Sequence, residues 1–284
     1  MPNSLKSDKN LNNKKKKSVM YQRIISLAPS NTEILYALGA EDRLVACTRY
    51  CDYPLEAAKK PRVGGWLDIK EELVLKYNPD LILTSTFVQN KITDKYKKLG
   101  LNIVALMPTT LVGVFHSIEK IGKLVGKEKE AQQLIRDMNK KIVKIKEKSR
   151  FADYTPRLYI EEWHKPPTIS GNWVPTLARI ARADYSLIRA GYHSREVYTE
   201  EIQKYNPQYI IISICGLSDK APKEWITKRP GWESLSAVKN SHVFVFDDSV
   251  LNRPGPRLTT GLEMIANVLH PEVFDDKSVQ ELIK

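Results

Sequence analysis

The sequence predicts an α/β protein built as two α/β lobes joined by a long rigid interdomain helix, and two features carry that expectation. The first is an internal echo: residues 71–85 read EELVLKYNPDLILTS and residues 200–213 read EEIQKYNPQYIIIS. Each copy opens with paired Glu, which suits the positive N-terminal end of a helix dipole. Each continues with Lys-Tyr-Asn-Pro, where the Pro lacks a donor N–H and disfavours helix at the preceding Asn. Each ends in an aliphatic run, the pattern of a strand buried on both faces. Helix, turn and buried strand make half of a βαβ unit, so a second copy far downstream predicts a second lobe on the same plan. The second feature is the stretch 111–148, whose charge-dense second half carries Leu134, Ile135, Met138, Ile142 and Ile145 at helical spacing. A helix of that length is a stiff connector, unlike a Gly/Ser linker, and predicts lobes that tilt little relative to one another.

The remaining elements follow in order. Arg23 to Leu27 reads as a strand, and Ser30-Asn31-Thr32-Glu33 as a capped helix start whose Ile34, Leu35 and Leu38 share a face before Gly39 ends it. Leu44 to Cys47 and Ile103 to Leu106 are short strands, with a helix around Asp94 to Leu99 before the latter. The second lobe runs through strand Arg157 to Glu161, helix Val174 to Ala183, and strands Tyr209 to Ser213 and His242 to Phe246, to a final helix Arg257 to Leu269. The expected divisions are a disordered basic tail over 1–20, a first lobe over 21–122, a connecting helix over 123–150 and a second lobe over 151–284.

Composition narrows the function. The net charge is +12, but residues 1–20 hold six Lys against one Asp, so +5 of it lies in a Lys/Asn/Ser-rich tail with little to bury. The rest is spread among acidic residues without an Arg-aromatic cluster, which argues against nucleic acid. No run approaches the ~20 apolar residues of a membrane span. Lys14 to Lys17 resembles the basic start of a secretory signal, but Ser18 to Gln22 is mixed, the apolar run Ile24 to Ala28 is short, and no lipobox-like Cys follows. By that reading the chain lacks an export signal and is cytoplasmic. The three cysteines, Cys47, Cys51 and Cys215, form no evident disulfide framework or zinc signature and are expected to be plain thiols.

An enzyme is not indicated. There is no nucleophile elbow, phosphate loop, dinucleotide fingerprint or zincin motif. The five His (116, 164, 193, 242 and 270) lack metal-ligand spacing, and Asp247-Asp248 suits a turn better than acid/base work. Ligands of open α/β folds bind outside the carboxyl ends of strands. Five segments fall there: 28–31, 49–54, 64–66, 162–173 and 251–254, supplying Trp, Tyr, Asn and Arg with flexible glycines and no convergent charge. That set suits a broad, flat, polar-edged ligand. Core packing is an equal reading for Trp66 and Trp173 and the favoured one for Trp225 and Trp232.

The residues RIISLAPSNTEILYALGAEDRLVACTRYCDYP at 23–54, VGGWLDIKEELVLKYNPDLIL at 63–83, SGNWVPTLARIA at 170–181 and RPGPRLTTGLEMIANVLHPE at 253–272 carry a resemblance. Together they resemble the class III substrate-binding proteins of ABC transporters, in particular their cobalamin-binding branch. The resemblance implies the class III substrate-binding fold, no catalysis, no cofactor, a monomer, and a corrinoid (vitamin B12, cobalamin) held in the cleft as transported ligand. It implies ligand contacts from Tyr50, Trp66 and Asn31 in the first lobe and from Trp163, Trp173 and Arg253 in the second. It also implies docking on an ABC transporter permease through one surface Glu per lobe, and Glu72 and Glu200 each stand six residues before the Asn-Pro of their repeat. Two features depart from the pattern. Ser249-Val250-Leu251 stands where some relatives carry a Trp, and the family works outside the cytoplasm, against the missing signal. An iron-siderophore or haem ligand on the same fold, or an intracellular corrinoid-handling protein or enzyme, are the competing readings.

Overall fold

A computed structural model of the chain describes residues 20–284, so the basic tail lies outside the described residues except for Met20. Two sheets organise the molecule. The first is wholly parallel, in the order β2-β1-β3-β4, from β1 (Ile24–Ser26), β2 (Leu44–Cys47), β3 (Leu81–Ser85) and β4 (Ile103–Leu106). Around it lie α1 (Pro29–Ala37), α2 (Glu71–Lys76), α3 (Asn90–Lys98) and α4 (Leu111–Val125). Alternation along each strand decides which core a residue joins. Ile24, Leu81 and Leu83 face the large core shared with α4, whereas Ile25 and Ile82 face a smaller one with Val74 and Tyr96. Both faces are thus covered, as the aliphatic runs required.

Helix α5 (Glu128–Ser149) leads to the second sheet. That sheet is mixed, in the order β7-β6-β5-β8-β9, from β5 (Leu158–Trp163), β6 (Thr168–Ile169), β7 (Arg195–Glu196), β8 (Tyr209–Ile212) and β9 (Val243–Val245). Helices α6 (Val174–Ile180), α7 (Thr199–Tyr205), α8 (Glu224–Thr227), α9 (Ser236–Lys239), α10 (Ser249–Asn252), α11 (Leu258–Leu269) and α12 (Lys277–Gln280) complete it. Strands β5, β8 and β9 repeat the parallel arrangement of β1, β3 and β4, while β6 and β7 pair antiparallel beside β5. No helix of the described residues is long and apolar enough to cross a membrane.

Two expectations are corrected. The helical stretch 111–148 is two helices, because Gly126 adopts φ 64° and closes α4 with a left-handed cap that a side chain would strain. The connector is therefore α5 from Glu128, and residues 123–125 belong to α4. Ser30 to Glu33 do not form a capping box either. Helix α1 starts at Pro29 with Ala28 as N-cap and no side-chain cap, so Asn31, Thr32 and Glu33 lie inside the helix with their side chains free for other partners.

The echo is deeper than the sequence suggested. In the first copy Arg23, at the head of β1, donates from Nε to Asn78 O (3.0 Å) and from Nη2 to Tyr77 O (2.6 Å). The Asp80 carboxylate accepts from the N–H of Gln22 (2.8 Å) and of Arg23 (2.9 Å). In the second copy Arg157, at the head of β5, donates from Nε to Asn206 O (2.9 Å), and Gln208 Oε1 accepts from the Arg157 N–H (3.1 Å). Asn78 and Asn206 both hold positive φ, at 43° and 47°, the conformation Asn tolerates best among residues with a Cβ. Each lobe thus clips helix to central strand with one Arg, one left-handed Asn and one polar residue after the Pro.

Candidate functional site

The carboxyl ends of the two parallel strand sets face one another, and the side chains there fall into three groups. The first is a charge cluster between lobes. Glu33 of α1 is almost wholly buried, and both its oxygens are bonded by Arg257 at the start of α11: Nε to Oε2 at 3.0 Å and Nη2 to Oε1 at 2.6 Å. Arg253 Nη1 also donates to Glu33 Oε1 (3.1 Å) and to Asp52 Oδ1 (2.5 Å), with Nη2 to Asp52 Oδ2 (3.1 Å). The Arg257 guanidinium lies 4.1 Å from the Tyr53 ring centroid. Burial opposes ionisation of Asp52, but the bonds and charge of Arg253 outweigh it and hold the carboxyl below its ordinary value. Arg253 is likewise pushed up: burial acts against its charge, and Asp52 and Glu33 more than compensate.

The second group is aromatic. Tyr50 follows β2 and is 45% exposed, while Trp163 ends β5 and is 51% exposed, its indole N–H donating to Lys165 O at 3.0 Å. Trp66 is half-buried. It is fixed by Gln89, whose Nε2 donates to Trp66 O (3.1 Å) and Leu27 O (2.9 Å), and by Gly64, whose φ of 132° lets the chain turn against Asp68. Phe87 of the first lobe meets His193 of the second with ring centroids 5.0 Å apart. Trp173, for which ligand contact and core packing are equal readings from sequence, is packed in the structure. It is 6% exposed, and its indole N–H donates to Leu251 O at 2.7 Å, so the ring is packed within the second lobe. Asn31 is buried as well and ties α1 to β3 by donating to Thr84 O (3.1 Å). Trp232 is core, as expected, and Trp225 is partly buried, stacked on His164.

The third group is buried and polar. Burial raises the carboxyl of Glu162, against the hydrogen bond it accepts from Ser194 Oγ (2.7 Å). Burial raises Asp248 too, although Gly216 and Ser218 donate their N–H groups to it (3.0 and 2.8 Å). Its neighbour Asp247 takes the N–H of Ser249 (2.8 Å), the turn role the sequence suggested. Thr86 Oγ1, Ser213 Oγ and Asn252 Oδ1, which follow β3, β8 and β9, are buried with no hydrogen-bond partner among the described residues. Buried polar atoms without a partner are uncommon, and these lie past strand ends in both lobes. No group of three or more metal-binding side chains occurs among the described residues.

Glu72 and Glu200 are exposed in the first turns of α2 and α7. In each Glu pair the other member is tied down, Glu71 by Lys95 at 2.5 Å and Glu201 by Arg195, while neither Glu72 nor Glu200 has an ion pair among the described residues. Sequence reasoning does not single out Glu33, which reads as part of a capping pattern, or Arg257, which reads as the start of the last helix; Asp52 lies within the strand-end segment 49–54 but carries no local sign of its partner.

Comparisons agree with this geometry. The chain is 33% identical over 269 residues to an uncharacterized ABC transporter substrate-binding lipoprotein, YvrC, of Bacillus subtilis, covering 90% of this chain and 82% of that one. Among solved structures, a possible iron-binding (periplasmic solute-binding) protein from Staphylococcus epidermidis superposes with a TM-score of 0.75 at 28% identity, over 88% of this chain and 98% of that one. The periplasmic vitamin B12 binding protein BtuF of Vibrio cholerae does so with a TM-score of 0.69 at 26% identity, over 90% and 99%. The match to the periplasmic binding protein family model extends over residues 24–250, so from the first strand to the helix that precedes Arg253 this chain belongs to that family of two-lobed solute-binding proteins.

Proposed function

We propose that the chain is the capture protein of an ABC transporter, working outside the cytoplasm, and that it closes over a corrinoid of the cobalamin type without transforming it. The observation that carries the ligand class is the neutralisation of the cleft arginines: Arg253 and Arg257 are matched by Glu33 and Asp52. An anionic iron chelate calls for free guanidinium groups, whereas these are already occupied. What remains open for contact is aromatic surface at Tyr50, Trp66 and Trp163, which suits a flat ring. The vitamin B12 binding relative supports the same reading. Glu72 and Glu200 serve as the docking points for the permease, one on each lobe.

Haem is the second reading, supported by Tyr50 and His193, exposed side chains able to act as axial ligands. Titration with cyanocobalamin, following heat and corrin absorbance, separates the two. Saturation at one equivalent, with about tenfold weaker binding in Trp66→Ala, is the expected result. Absence of heat and spectral change, together with a Soret band on adding haem, would replace the corrinoid by haem. Charge reversal at Glu72 or Glu200 should leave binding intact and abolish uptake; loss of binding in those variants would remove the docking role.

A further inference from the structure

We propose that Gln89 is a positioning residue of the cleft: without touching ligand, its buried amide sets Trp66 in place before any ligand arrives. Gln89 is fully buried and stands immediately before α3, at the end of a single 3₁₀ turn, Phe87–Gln89. Its side chain uses both its donors. Nε2 donates to Leu27 O (2.9 Å), where the chain leaves β1, and to Trp66 O (3.1 Å). Oε1 accepts from the Ser85 N–H (2.9 Å) at the end of β3. One amide therefore joins three segments that are distant in sequence and meet at the carboxyl ends of the strands, where ligands of such folds bind. A carboxamide alone offers two N–H donors and a carbonyl acceptor together, and the two facing carbonyls fix which end is nitrogen.

The hairpin that carries Trp66 depends on this hold. At its base the Lys70 N–H donates to Val63 O (2.8 Å), the Arg49 N–H to Gly64 O (2.8 Å), and Gly64 pairs with Ile69. On its outer side the ion pair Arg49–Asp68 (2.5 Å) braces it, with side chains 53% and 63% exposed. A pair that exposed adds little rigidity, whereas the hydrogen bonds of a buried amide are costly to break. Gln89 is itself held by a strained link. Thr86 has φ 65° and ψ 154°, a region nearly confined to glycine and unfavourable for a β-branched side chain. Such backbone persists only where its surroundings over-determine it. Here the Ser85 N–H is taken by Gln89 Oε1 on one side of Thr86, and the Gln89 N–H donates to Thr86 O (3.3 Å) on the other. The strain at Thr86 turns the chain so that the Gln89 side chain reaches back over β3 to Trp66.

The inference rests on Trp66 as a ligand contact, but the hold is present without ligand and is measured without it. The full-length chain is labelled with 5-fluorotryptophan, and among its five Trp the fluorine resonance of Trp66 is the one lost in Trp66→Phe. Gln89→Met keeps the volume and removes the bonds to Leu27, Trp66 and Ser85. The Trp66 resonance should shift and broaden, while those of Trp225 and Trp232 in the second lobe stay in place. An unmoved Trp66 resonance would overturn the proposal. Gln89→Glu covers the case in which Gln89→Met fails to fold. Protonated, the carboxyl still accepts from Ser85 and donates to one carbonyl; ionised, it faces two carbonyl oxygens with no donor. Burial raises such a carboxyl above its ordinary value. Its Trp66 resonance should match that of the unaltered chain at low pH and depart from it as the pH rises through the titration. A Trp66 signal that ignores pH in this variant would also overturn the proposal.

Affinity supplies a separate readout. Cyanocobalamin should bind Gln89→Met about fivefold more weakly than the unaltered chain, the cost of losing a pre-set contact. Added to Trp66→Ala, the same substitution should bring no further loss. Additive losses would mean that Gln89 acts by a route other than Trp66, and the proposal would fall. Absence of any cobalamin binding removes the ligand reading and leaves the fluorine signals to decide Gln89. Unmoved fluorine signals with cobalamin binding intact remove Gln89 and leave the ligand reading standing.

Discussion

The two lobes make the same clip with different chemistry, and they face the cleft with opposite charge. In the first lobe the residue after the Pro is Asp80, whose carboxylate takes two backbone N–H groups; in the second it is Gln208, whose amide takes one. The geometry around Arg23 with Asn78 and around Arg157 with Asn206 is nevertheless the same. What the fold requires at that point is an acceptor aimed at the head of the central strand, and either side chain supplies it. At the cleft no such equivalence holds. The first lobe contributes carboxylates, Glu33 and Asp52, and the second guanidiniums, Arg253 and Arg257. The clip is satisfied within a lobe, whereas the charge cluster is satisfied only between lobes, so it can report on closure.

That contrast can be broken most severely at Glu33. Glu33→Ala leaves Arg257 and part of Arg253 without a partner in a buried setting, a loss of about 3 kcal/mol for a buried pair. Urea unfolding checks it, and a change below about 1 kcal/mol would mean that the cluster behaves as a surface pair. Next come the clips. Asp80→Ala should cost about 2 kcal/mol, because charged acceptors hold backbone donors more strongly, and Gln208→Ala about 1 kcal/mol. Equal losses would show that the carboxylate adds nothing over the amide.

The smallest expected effect is a pH slope confined to the second lobe. Burial is the main cause lowering both His164 and His270, and Arg229 Nη2 donates to His164 Nδ1 at 2.8 Å. Both rings are favoured neutral in the folded chain, so unfolding takes up protons below the ordinary histidine value of about 6.5. Their contribution to stability is complete above that pH and falls as the pH drops through it. The midpoint of unfolding should therefore fall between pH 7.5 and 5.5, and less so in His270→Asn. A flat profile, or one unchanged by that substitution, would remove the histidines as its source.

The sequence by itself determined the lobe plan. Local signals sufficed because they are covalently close: Asn-Pro after a Glu-headed helix ends that helix wherever it stands, and five aliphatic residues in a row suit only a strand covered on both sides. Strands β2 and β4 were read to the residue, and Glu72 and Glu200 were matched by the repeat alone. The short pair β6 and β7 and the break at Gly126 escaped notice, the first for lack of length to show alternation and the second because the apolar periodicity of α4 and α5 runs across the turn. Only the tertiary structure decided which of these side chains are buried and which pair across the lobes. Trp173 and Trp163 are both expected at the ligand, yet one ring is sealed against Leu251 and the other is half in solvent. Glu33 and Arg257 are 224 residues apart, and no local pattern joins them. Burial and long-range pairing depend on where the chain returns to itself, and that information resides in the packed lobes and in no single segment of the sequence.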